Sequence, residues 1–124
     1  MNKVLIVDDS STMRKIIMRV LRQAEIAVDN VIEAGNGVEG LAALGANPDI
    51  GLILSDVNMP EMNGIDFVKA IRSSHTKEQL PVIMVTTEGG GAMVNTAMEL
   101  GANGYVCKPF TPDSIRSALE PYVG

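Results

Sequence analysis

Three times in this chain a short apolar run proceeds without interruption and ends on a polar side chain. Val4-Leu5-Ile6-Val7 stops at Asp8-Asp9, Leu52-Ile53-Leu54 at Ser55-Asp56, and Val82-Ile83-Met84-Val85 at Thr86. A continuous apolar run of this length, bounded by turn-forming residues, reads as a strand buried on both faces. Such strands need helices on both sides, and that arrangement belongs to parallel sheets. Two weaker strands complete the pattern. Val28 to Ala34 is closed by Gly35-Asn36-Gly37, and Gly104-Tyr105-Val106-Cys107 precedes Lys108-Pro109-Phe110.

Helical periodicity fills the intervals. Ser10-Ser11 supply an N-cap, after which Met13, Ile16, Ile17, Val20 and Leu21 recur on one face, with Arg14, Lys15, Arg19 and Arg22 expected in solvent. A weaker helix runs through Val38, Leu41 and Leu44 and stops at Gly45 and Pro48. A third spans about Asn63 to Arg72, with Ile65, Val68 and Ile71 inward, followed by a polar loop over 73–80. Met93, Ala97 and Leu100 are expected to line a fourth, starting late because Gly89-Gly90-Gly91 disfavour helix. Thr111 caps the last helix, Pro112 opens it, and Ile115, Leu119 and Tyr122 face inward.

Five strands alternating with five helices, joined by right-handed crossovers, leave few topologies. The expectation is an α/β fold, a flavodoxin-like doubly wound sandwich whose five-stranded parallel sheet has the order 2-1-3-4-5. At 124 residues the whole chain, 1–124, reads as a single domain. A net charge of −5 argues against non-specific binding to nucleic acid or an anionic membrane. No apolar run is long enough to span a bilayer, and the acids at Asp8-Asp9 come too early for a signal peptide. The one cysteine, Cys107, has no internal disulfide partner, which fits a cytoplasmic location. Cys107 is expected as a small buried strand residue, and His75 as a solvated loop residue.

In that strand order, polar residues just beyond four strands converge at one edge. Strand one brings Asp8 and Asp9, strand three Asp56, strand four Thr86 and strand five Lys108. Taken singly, each has a plainer reading as a cap, a strand end or a solvated loop residue. Their coincidence at one end of four strands is harder to dismiss. Crowded carboxylates repel one another unless a cation enters, and an all-oxygen set suits Mg²⁺. The main-chain carbonyl of Asn58 would add another oxygen. A divalent cation, an ammonium and a hydroxyl are fitting partners for phosphoryl oxygens, and a carboxylate nucleophile would yield an acyl phosphate.

Asp8-Asp9, LSDVNMPEMNG around Asp56, VTTE with Thr86 and GYVCKPF with Lys108 together resemble the receiver domain of two-component response regulators. DDSSTMRK, DVNMPEMNG, PVIMVTTE and GANGYVCKPFT are similar to its single-domain, CheY-type chemotaxis branch. The resemblance implies that Asp56 accepts a phosphoryl group from a sensor histidine kinase and that Mg²⁺ is held by Asp9 and Asp56 directly, by the Asn58 carbonyl, and by Asp8 through water. It implies Thr86 and Lys108 as the phosphoryl-binding pair, and Thr86 and Tyr105 as the switch, with Tyr105 turning inward as Thr86 moves. The Lys108–Pro109 bond is cis in that family, and Asn58 and Glu88 stand where dephosphorylation is tuned. The implied partners are that kinase, an output protein such as a flagellar motor switch component, and a phosphatase. The protein is expected to be a monomeric signalling protein, not an enzyme acting on external substrates. A phosphorelay shuttle or phosphate sink serving a histidine phosphotransfer domain would share the same site. A phosphohydrolase of the haloacid dehalogenase type would want an aspartate where Asn58 stands, and flavin binding would want a hydroxyl-rich loop in place of Asp8-Asp9.

Overall fold

A computed structural model describes residues 3–26, 30–57, 61–86, 92–108 and 110–122. The strands are β1 (Lys3–Val7), β2 (Asn30–Ala34), β3 (Ile50–Asp56), β4 (Val82–Thr86) and β5 (Gly104–Cys107). The helices are α1 (Ser11–Gln23), α2 (Gly37–Ala46), α3 (Gly64–Arg72), α4 (Ala92–Glu99) and α5 (Pro112–Leu119). All strand pairs are parallel, in the order β2-β1-β3-β4-β5. This is the expected doubly wound sheet.

The apolar runs serve two cores at once, because alternate strand side chains leave opposite faces of the sheet. Val4, Ile6, Leu52, Leu54, Ile83 and Val85 pack with Ile17 and Leu21 of α1 and Ile115 and Leu119 of α5. Leu5, Val7, Ile53, Val82 and Met84 pack with Phe67, Val68 and Ile71 of α3 and Ala97 of α4. Polar residues inside these strands would be buried, so the runs admit none before their carboxyl ends.

The helix starts follow from side-chain chemistry. Ser10, Asn36 and Asn63 each accept a hydrogen bond from the main-chain N–H three residues on, satisfying a donor that the first turn leaves orphaned. Thr111 and Ser114 cap α5 reciprocally. Three expectations need correction. In α4 it is Val94, not Met93, that joins Ala97 in the core, and Met93 is exposed. On α2, Val38 points to solvent. Arg14 leaves the solvated face of α1 and is largely covered by its contacts with β2.

The end of the sheet away from the strand carboxyl termini is organised by Arg72 and Asn103. Arg72 donates to the carbonyls of Gly101 (2.8 Å) and Leu80 (2.9 Å) and to Oδ1 of Asn103 (2.9 Å). Asn103 Oδ1 also accepts the N–H of Val82, and the Asn103 N–H donates to the Val82 carbonyl. The Tyr122 hydroxyl donates to the carbonyl of Asn103. Arg72 and Asn103 thus tie together α3, the 73–80 loop, the starts of β4 and β5, and Tyr122 beyond α5. Among the described residues no helix is long and apolar enough to cross a membrane.

Candidate functional site

The site begins where β1 and β3 lie side by side, with Val7 in register with Ser55. Asp8 follows β1 directly and is almost wholly buried. Its N–H donates to the carbonyl of Ala34 at the end of β2 (3.0 Å), its carbonyl accepts from Nη1 of Arg14 (2.6 Å), and Oδ1 accepts the N–H of Ser10 (2.9 Å). Oδ2 is buried and accepts no hydrogen bond among the described residues. A buried carboxylate oxygen in that condition is costly unless a charge faces it. Lys108 Nζ lies 3.5 Å away, an ion-pair distance that compensates the charge without making a hydrogen bond.

Asp56 closes β3. Its Oδ1 accepts the N–H of Val57 (2.8 Å) and lies 3.7 Å from Lys108 Nζ. Burial raises the pKa of Asp56 above the ordinary carboxylate value, and the neighbouring Asp8 raises it further. Lys108 and the Val57 N–H oppose that rise, and Asp9 adds a smaller upward push. Lys108 therefore bridges two carboxylates that would otherwise repel each other. It reaches them because its own N–H donates to the carbonyl of Thr86 (2.6 Å), extending the β4–β5 pairing one residue beyond the strands.

Asp9 is exposed, on the solvent side of the pair. One carboxylate oxygen from each of Asp8, Asp9 and Asp56 lies within 4.8 Å of the other two. The unbonded Oδ2 of Asp8 and the all-oxygen donor set fit a hard divalent cation such as Mg²⁺. The cluster could hold such an ion.

Of the residues singled out in the sequence, Asp8, Asp9, Asp56 and Lys108 are gathered into one cluster. Thr86 is buried at the end of β4, joined to Lys108 through its main chain. Tyr105 sits on β5 with 42% of its surface exposed, turned outward. Asn58 lies outside the described residues, as do Glu88, the glycines at 89–91 and the Lys108–Pro109 bond. Cys107 is exposed rather than buried, since only Val106 of β5 reaches the core. His75 is partly covered and not fully solvated, with Nδ1 2.9 Å from Ser74 Oγ. The residue missed is Arg14, whose only sequence signal was a position on an apparently solvent-facing basic stripe.

The family model described as the response regulator receiver domain matches residues 4–120. A Helicobacter pylori protein named chemotaxis protein CheY1 is 48% identical over 122 residues, covering 98% of this chain and 97% of that protein. A Campylobacter jejuni chemotaxis protein CheY homologue is also 48% identical, with 98% and 92% covered. The crystallised chemotaxis response regulator CheY4 of Vibrio cholerae superposes with a TM-score of 0.82 at 36% identity, with 98% of each chain covered. A two-component response regulator/GGDEF domain protein gives a TM-score of 0.87 at 33% identity, and the chain spans about half the length of that protein, 48%. With the sheet order, the clustered acids and these matches in view, the chain belongs to the response regulator receiver domain family.

Proposed function

We propose that this chain is a phospho-accepting response regulator, with Asp56 as the acceptor and a phosphohistidine of a sensor histidine kinase as the donor. In the transfer, the phosphorus–nitrogen bond of the phosphohistidine breaks and a bond forms from phosphorus to a carboxylate oxygen of Asp56. The electron pair stays with the imidazole, which takes up a proton from water. The product is an acyl phosphate. Mg²⁺ held by Asp8, Asp9, Asp56 and the Asn58 carbonyl would supply positive charge to the phosphoryl oxygens during transfer. The observation that carries this reading is the cluster itself: three carboxylates within 4.8 Å, with Lys108 facing two of them.

The protein's own groups divide the remaining work. Lys108, already 3.7 Å from Asp56, moves its charge onto a phosphoryl oxygen once the carboxylate is esterified. Thr86, tied to Lys108 through the main chain, donates its hydroxyl to another. These contacts are available only after phosphorylation, so they favour the arrangement in which Thr86 has moved inward and Tyr105 follows it. The output is then a binding event on the changed surface. The names of the chemotaxis relatives support an output partner in chemotaxis, such as a flagellar motor switch component. A separate transfer to water, which breaks the phosphorus–oxygen bond to Asp56 and releases inorganic phosphate with the carboxylate regenerated, makes the chain its own timer. Incubation with a small phosphodonor and Mg²⁺ should introduce acid-labile phosphate in the wild-type protein and none in Asp56→Asn. Equal labelling of the variant would overturn the assignment.

A further inference from the structure

Arg14 holds two acceptors that no other side chain satisfies among the described residues. Nη1 donates to the main-chain carbonyl of Asp8 at 2.6 Å, and Nε donates to Oε1 of Glu33 at 2.9 Å. Glu33 and Ala34 are consecutive in β2, and Ala34 accepts the N–H of Asp8. The edge strand therefore grips Asp8 twice: through the Ala34 carbonyl directly, and through Glu33 by way of Arg14. With Oδ1 taken by the Ser10 N–H, every polar atom of Asp8 is fixed except Oδ2. We propose that Arg14 is a positioning residue for the cation site: clamped by Glu33, it locks the Asp8 main chain so that Oδ2 is presented to a divalent ion. This rests on the cluster being the Mg²⁺ site.

Two features separate this role from that of a nearby positive charge. The guanidinium fork uses two different nitrogens on two acceptors, a span that a lysine ammonium at one point does not reproduce. The signs of the expected effects also differ. A bystander cation repels Mg²⁺, so its removal would tighten binding, and its replacement by lysine would leave binding unchanged. A positioning residue gives the reverse, because groups that orient metal ligands are worth tens of fold in affinity when lost.

The test is calorimetric titration of the unphosphorylated full chain with MgCl₂, for wild type, Arg14→Lys, Arg14→Ala and Asp9→Asn. Thermal unfolding in chelator is run beside each to confirm a folded protein. Arg14→Lys should weaken Mg²⁺ binding about 10-fold or more, and Arg14→Ala at least as much. An unchanged dissociation constant in Arg14→Lys, or tightened binding in Arg14→Ala, overturns the role. If Arg14→Ala fails to fold, Arg14→Lys decides alone. Asp9→Asn distinguishes the two levels of the claim. Binding lost there but retained in Arg14→Lys refutes only the part played by Arg14, whereas binding retained in Asp9→Asn refutes the cation site itself.

Discussion

Gly64 and Gly45 both lie in helices, and the same substitution should act on them with opposite sign. Gly64 is the first residue of α3, packed directly behind the end of β3, with its N–H donating to the carbonyl of Val57 (2.8 Å). A Cβ there would lie 2.3 Å from the carbonyl oxygen of Asp56 and 2.9 Å from Cα of Val57. Carbon contacts settle near 3.5–4.0 Å, so this is overlap of about 1 Å against main-chain atoms that have no rotamer to yield. Overpacking costs about 1–3 kcal/mol, and main-chain atoms at two of the three nearest contacts, the third being the Met84 side chain, place this case at the upper end. The helix preference for alanine returns at most about 1 kcal/mol, and less at a first-turn position. Gly64→Ala should therefore destabilise by about 2–3 kcal/mol.

Gly45, near the end of α2, is open by contrast: a Cβ added there would meet nothing within 4 Å. Gly45→Ala should stabilise by about 0.5–1 kcal/mol through reduced freedom of the unfolded chain. Urea unfolding followed by far-ultraviolet circular dichroism measures both, with shifts in midpoint at constant slope. The reasoning is refuted if Gly64→Ala unfolds at the wild-type midpoint, or if the two variants shift it in the same direction.

Because burial and Asp8 raise the Asp56 pKa above its ordinary value of 3.8, the folded protein binds this proton more tightly than the unfolded chain does. The associated stability is full below pH 3.8 and is lost as pH rises through the folded-state value, so in chelator Asp56→Asn should be more stable than wild type at neutral pH. That advantage should shrink on acidification, and urea unfolding curves at several pH values that keep a constant gap, or reverse it at neutrality, would refute this. Arg72→Ala strands the carbonyls of Gly101 and Leu80 and one lone pair of Asn103, so a loss of about 3 kcal/mol is expected from denaturant unfolding. A loss below about 1 kcal/mol would show that water replaces the guanidinium without penalty.

The sheet was legible because its central strands have only one chemical solution. Val4 to Val7 and Val82 to Val85 must be buried on both faces, and the ends of those runs locate Asp8 and Thr86 without further help. The edge was less legible. In β5 only Val106 reaches a core, so a run that reads as apolar from Tyr105 to Cys107 turns two of its three residues outward. The phase of α4 was ambiguous for a related reason: Met93 and Val94 are adjacent, each is spaced to pair with Ala97, and packing against α3 and β4 selects Val94. Arg72 escaped notice because its partners are mainly carbonyl oxygens, which every residue carries and no sequence marks, and Arg14 because it joins one such carbonyl to a glutamate on a different element.

The shared anchor at Asn103 has a mechanical meaning for the opposite edge. β4 and β5 start at one amide and lead to Thr86 and Lys108, the two residues proposed above to hold a phosphoryl group. The pair is tied at the rim too, where the Lys108 N–H donates to the Thr86 carbonyl, so β4 and β5 form one hydrogen-bonded unit anchored at its hub. Four to five residues of strand make an arm of about 15 Å, so a shift of about 1 Å at the rim corresponds to a turn of about 4°. Chemistry on a single carboxylate would thus be read out as an angle.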